Sequence, residues 1–347
     1  TDAGSTFAPA WPDRQTQALG SVAVAPDGTL YVGTGEANPG GGSLTYTGTG
    51  LYKSTDRGRT WTNIGLRDSG AIGKIIIDPR NAQRIFVAVT GSLFNPGGER
   101  GVYRSTNGGR TWTRVLNGTT DTTGAIEVMF DPVDPQRIYA VMWDHRRQPD
   151  KRTYSGVGSG VYRSVDGGNS WQRLDSLVLP AEDLGRIGIG VAPSNPNRLY
   201  AILGRGEAST NTFGGFLTST DGGDTWTRRP DNPTLAASQS SFAWWFGKVW
   251  VNPDDANHLH VAGVSLMTSH DAGQTWVATG GIHVDHHAMV WDPRYPSRVY
   301  LGNDGGTYRS DADGDSGWVK ATYEPYTQFY SAAISPQDVT RVSGGTQ

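Results

Sequence analysis

One short motif repeats along this chain, and nothing else in the sequence restricts its fold as strongly. Five segments read Ser-x-(Asp/Asn)-x-Gly-x-(Thr/Ser)-Trp: Ser54–Trp61, Ser105–Trp112, Ser164–Trp171, Ser219–Trp226 and Ser269–Trp276. A sixth, Ser310–Trp318, carries one extra residue. Their spacing is that of one four-stranded propeller blade. The Asp or Asn side chain accepts hydrogen bonds from N–H groups of its own turn. The glycine supplies a positive φ, and the tryptophan packs between neighbouring sheets. Each box is therefore a hairpin turn with its own apolar anchor, and its acid is structural rather than catalytic.

Composition agrees. Among 347 residues there are 48 Gly, 19 Pro and 12 Trp, and only 18% are charged; such a chain suits short strands and tight turns. The net charge of −3 comes without a basic run, which argues against nucleic acid as a partner. No apolar stretch approaches the ~20 residues that span a bilayer. The start is polar and holds no signal peptide, so a removed export signal and a secreted, extracellular bacterial protein are expected. Cysteine is absent, which excludes disulfides and thiolate metal sites.

The expected fold is all-β: a single propeller over residues 1–347, seven-bladed, with six complete blades and a partial seventh. The blades fall at about 19–65, 72–116, 124–175, 186–229, 247–279 and 287–321. Phe329–Ser335 and Arg341–Gln347 read as strands A and B of the seventh blade. Thr6–Trp11 supplies its outer strand D, with strand C missing. Either the ring closes imperfectly or further polypeptide follows, a second propeller included.

The boxes resemble those of the Asp-box (BNR) repeat superfamily, which includes sialidases, xyloglucan-active glucanases, sortilin and a photosystem II assembly factor. Tyr31–Asn38, Val284–Ala288, Asn303–Gly306 and Gly344–Gln347 are similar to segments of large bacterial BNR-repeat glycosyl hydrolase-like and sortilin-like proteins. The resemblance implies a propeller, but one scaffold hosts hydrolases, receptors and assembly factors. The Arg-Ile-Pro motif of sialidases is absent, so sialidase chemistry is not expected.

In an up-and-down blade the box turns share one face, and the B–C and D–A loops share the other, where sites tend to be built. Glu36 ends strand B of blade 1. Asp304 ends strand B of blade 6, in a run that resembles the stretch around a catalytic Asp in xyloglucanases. Glycoside hydrolysis needs two such carboxylates, one as acid and one as base or nucleophile. Glu36, Asp304 and the histidine cluster are expected to converge on one groove. The alternative is that Asp304 caps a turn and Glu36 bonds local backbone.

The densest titratable cluster is His283-x-Asp285-His286-His287. His286 is a candidate base. Alternation in an extended segment would set Asp285 and His287 on one side and His286 on the other. His283, Asp285 and His287 form a donor set for a divalent ion, calcium or zinc, or a hydrogen-bonded plug at the channel mouth; no other cofactor is required. Asp311-x-Asp313-x-Asp315 has a faint look of a calcium loop but reads as a box variant. Tyr46, Tyr154, Trp244, Trp245 and Tyr326 are candidate stacking surfaces for a polysaccharide or glycan, joined by Arg205 in the Gly204–Gly215 loop. A glycoside hydrolase or lyase is the leading reading. A non-catalytic, sortilin-like binding propeller for a peptide, glycan or protein is the alternative.

Overall fold

A computed structural model describes residues 9–11, 16–38, 46–148, 152–174, 184–206 and 212–322, together with the backbone of 329–334 and 342–346. Six four-stranded antiparallel sheets follow one another along the chain, each in sequence order from strand A to strand D. The A strands are Leu19–Val24, Ile72–Asp78, Thr123–Phe130, Leu184–Ala192, Val249–Val251 and His286–Asp292. Each begins within about two residues of the expected blade boundary. Phe329–Ile334 pairs with Val342–Thr346 in a further two-stranded sheet. The architecture is thus an all-β propeller with six complete blades.

The boxes hold the blades together as their residue types require. In the fourth, Asp221 accepts from the Thr225 amide at 2.9 Å and from the Thr225 and Ser219 hydroxyls. These bonds hold its carboxyl well below the usual range, at about 2. Gly222 takes φ 74°. The tryptophans reach back to the preceding blade: Trp112 Nε1 donates to Ile64 O at 2.9 Å, and Trp276 meets Phe216 edge-on at 5.0 Å. An aromatic in strand B makes the return contact, as where Tyr139 donates to Gly222 O at 3.0 Å.

The first box shows how the N-terminus is used. Trp61 Nε1 donates to Ala10 O at 2.7 Å, and Trp11 stands edge-on to Trp61 at 5.1 Å. Ala10 therefore occupies, against blade 1, the place that Ile64, just after strand D of blade 1, occupies against blade 2. Thr6–Ala8 lie outside the described residues.

The all-β expectation needs one amendment. The D–A loop between blades 4 and 5 holds two short helices, Pro233–Gln239 and Ala243–Phe246. Asn232 caps the first with its side chain and Pro233 opens it, a start signal legible in the sequence.

Candidate functional site

The A–B turns lie beside the boxes, as where Gly108 N donates to Gln83 O at 2.9 Å. The remaining loops therefore emerge on the opposite face. There the chain leaving strand B of blade 1 turns inward through Glu36, Ala37 and Asn38. Ala37 is buried in a cluster with Trp143, Tyr154, Leu184 and Trp244. Asn38 accepts a hydrogen bond from Arg186 of blade 4. This inward turn places Glu36 half-buried at the channel mouth. Its amide donates to Tyr46 O at 2.9 Å, and one carboxylate oxygen accepts from Tyr46 N at 3.4 Å. Burial pushes the Glu36 carboxyl above its ordinary value, while the Tyr46 amide and His287 pull it part of the way back. Glu36, Tyr46, Ala71, Thr90, Leu93, Phe94 and His145 line a shallow pocket.

Blade 6 supplies the second carboxylate. Asp304 sits in the tight turn between Tyr295–Asn303 and Gly306–Ser310. Its Oδ1 lies 3.0 Å from His287 Nε2. His287 thus pairs with Asp304 and acts electrostatically on Glu36. It also borders the aromatic loop of blades 4 and 5, with Trp245 and Phe246 each 5.9 Å from its ring. A raised carboxyl, an exposed carboxylate and an imidazole beside it are the group types that general acid–base chemistry uses.

The other histidines of the cluster separate. Asp285 takes φ 65°, which breaks the extended run before strand A begins at His286. His286 is 1% exposed, and burial drives its imidazole down to about 4. It is neutral and closed to a substrate, so His287 rather than His286 is the imidazole presented at the mouth. His283 is exposed and turned towards Val284 O at 3.1 Å. Burial, with Asp304 nearby, raises the Asp285 carboxyl. Among the described residues the ligand atoms of His283, Asp285 and His287 do not gather into a metal-binding group.

The aromatic candidates divide in the same way. Trp244 is 5% and Tyr154 1% exposed, with ring centroids 4.6 Å apart. They plug the mouth rather than offer open faces, because the inward loop of blade 1 packs onto them. Trp245 is only partly buried and stacks on Trp244 at 5.9 Å and 11°. Tyr46 is exposed beside Glu36, and Arg205 is exposed at the end of its strand. Tyr326 lies outside the described residues.

Sequence reasoning missed the charges beneath the plug. Glu127 is buried and meets Lys248 Nζ at 2.7 Å and Lys74 Nζ at 3.8 Å. These cations hold its carboxyl below the ordinary value against strong desolvation. Arg186, 1% exposed, lies over the Trp143 ring at 5.7 Å, and burial lowers it to about 10. The signal was available: Lys74, Glu127 and Arg186 are lone charges near the starts of apolar inner strands.

Fold and site together define an Asp-box propeller whose loop face carries Glu36 and the Asp304–His287 pair. The chain resembles the BNR-type (Asp-box) propellers and is similar in sequence to xyloglucanases. The sortilin-Vps10 family profile (sortilin, neurotensin receptor 3) matches residues 49–179. A probable oligoxyloglucan-reducing end-specific xyloglucanase of Neosartorya fischeri is 28% identical over 210 residues, covering 55% of this chain and 24% of that protein. A xyloglucanase of a Paenibacillus species is 25% identical over 264 residues, covering 73% of this chain and 22% of that protein. The crystal structure of an ancestral GH74 enzyme aligns over 96% of this chain and 43% of its own, with TM-score 0.64 and 19% identity. The matches thus span about a quarter of the length of these curated relatives.

Proposed function

We propose that this chain is a propeller of a secreted, xyloglucanase-like glycoside hydrolase, acting on a polysaccharide laid across the loop face. The observation that carries the reading is the placement of His287, paired with Asp304 at 3.0 Å and acting on the raised carboxyl of Glu36. Glu36, whose carboxyl burial raises, gives its proton to the departing glycosidic oxygen. Asp304 takes a proton from the attacking water, and His287 positions it. Trp245 and Tyr46 supply stacking surfaces beside the pair. The N-terminal segment and the Phe329–Thr346 hairpin complete a seventh blade, supported by the contact of Ala10 with Trp61. A second propeller covers the loop face and completes the groove; the 43% coverage of the GH74 structure supports this.

The test is hydrolysis of xyloglucan and other β-glucans by the full-length protein, with Glu36→Gln and Asp304→Asn as variants. Each substitution is expected to lower kcat by about 100-fold or more with little change in KM. Undiminished turnover in both variants would remove these residues from the mechanism. The burial of Trp244 and Tyr154 favours a second reading, a sortilin-like binding propeller. Glycan or peptide binding without turnover of any polysaccharide would select it.

A further inference from the structure

On the box face, at the junction of blades 5 and 6, the repeat is interrupted in a concerted way. At or near the start of strand B an arginine stands in blades 2, 3, 4 and 6 (Arg84, Arg137, Arg198, Arg298), and His258 takes that place in blade 5. The aromatic two positions on is Phe86, Tyr139, Tyr200 or Tyr300 elsewhere and His260 here. The second position of the fifth box is His270, where other boxes carry threonine, valine or aspartate. In the sixth box, Asp315 stands where Asp224 stands in the fourth. Asp224 pairs with Arg163 of the blade before it at 2.7 Å. Asp315 instead faces two imidazoles, His258 Nε2 at 3.1 Å and His270 Nε2 at 3.4 Å. The two rings lie 4.1 Å apart, and all three donor atoms fall within 4.8 Å of one another.

We propose that His258, His270 and Asp315 form a zinc-type divalent cation site that staples blade 5 to blade 6 on the face opposite Glu36 and Asp304. Two imidazoles and a carboxylate are a borderline-soft donor set suited to zinc rather than to calcium. Tetrahedral zinc with bonds of about 2.0–2.1 Å sets its ligand atoms roughly 3.3–3.4 Å apart, and the two histidine–aspartate distances bracket that edge. His258 is buried, whereas His270 and Asp315 are open to solvent, so the ion has a path in and a water completes its shell.

One neighbour limits the affinity. Asn252 accepts the amides of Asp254 and Asp255 through Oδ1, which turns its NH2 group to His258 Nδ1 at 3.3 Å. A ring that binds metal through Nε2 carries its proton on Nδ1, and here that proton meets another donor. Blades 2, 3 and 6 have aspartate at this place: Asp78, Asp131 and Asp292. Asn252→Asp would supply an acceptor for that proton, but it would also turn the 3.1 Å bond from Asn252 Nδ2 to Asp313 Oδ1 into a contact between two carboxylates.

The measurement is zinc binding to the whole chain near pH 7.5 by equilibrium dialysis, with melting temperature as a second readout. One ion per chain and a raised melting temperature are expected. His270→Ala and Asp315→Ala should each weaken binding at least tenfold. His287→Ala should leave the affinity unchanged. An absence of zinc binding would overturn the proposal, leaving an aspartate hydrogen-bonded between two histidines. Binding that survives both alanine variants, or that His287→Ala removes, would also overturn it.

Discussion

The two faces of this propeller use the same residue types for opposite ends. On the box face, Asp56, Asp166 and Asp221 each accept several hydrogen bonds from their own turn, which holds their carboxyls low, and the tryptophans beside Asp166 and Asp221 pack against the preceding blade. On the loop face, Glu36 accepts one long bond and is raised by burial, and Asp304 has an imidazole for its partner. A carboxylate saturated by backbone donors is inert; one left under-satisfied at a channel mouth keeps a proton to exchange. The difference separates scaffold from chemistry on one repeat.

The largest expected effect tests the scaffold side. Trp276 is 7% exposed and packs edge-on against Phe216 of the previous blade. Trp276→Ala should cost about 3–5 kcal/mol by removing a buried aromatic and leaving a cavity. Chemical denaturation measures it. Residual folded protein should keep its loop-face activity, because Trp276 lies on the opposite rim. A loss of turnover greater than the loss of folded protein would show that the rims are coupled.

Acid stability comes next and crosses the division. Burial lowers His145 and His260 to about 3 and His286 to about 4. His260 belongs to the box side, and the other two to the loop side. A histidine whose folded value is depressed contributes stability that is complete above its unfolded value of about 6.5 and is lost as pH falls towards the folded value. Each should forfeit about 1.4 kcal/mol per pH unit below 6.5. His260 Nε2 meets Asp313 O at 2.9 Å, much as Tyr139 meets Gly222 O. His260→Tyr should therefore flatten the acid limb of a melting-temperature profile by one histidine's share. An unchanged limb would place the acid sensitivity elsewhere.

How much of this was legible follows from where the information lies. The boxes, blade boundaries and face assignment are local and periodic, so Ser54–Trp61 and its copies carry them outright. Glu36 and Asp304 could be placed at strand-B ends by the same counting. Counting failed at Asp285, whose left-handed backbone interrupts the extended run, and at His286, the candidate base, which is buried. It failed again at Trp244 and Tyr154, whose burial depends on the blade 1 loop reaching across the mouth to Arg186. The cluster of His258, His270 and Asp315 joins residues from a turn and two boxes of adjacent blades. Only the departures from the repeat hinted at it.

The smallest effects compare the two acids most directly. Asp221→Ala removes bonds to Thr225 and Ser219 and should cost about 1 kcal/mol. Glu36→Gln should change stability less and in the other direction. Because the folded Glu36 carboxyl is raised, its stabilising share is complete below the unfolded value and is lost as pH rises through the folded value. Glutamine stays neutral throughout, so the variant should match wild type in acid and equal or exceed it at neutral pH, while turnover falls. Thermal melts at pH 4 and pH 7.5 provide the comparison. A Glu36→Gln protein less stable than wild type at pH 7.5 would mean that His287 and the Tyr46 amide hold Glu36 ionised. The proton donor would then have to be sought at Asp285, whose carboxyl burial also raises.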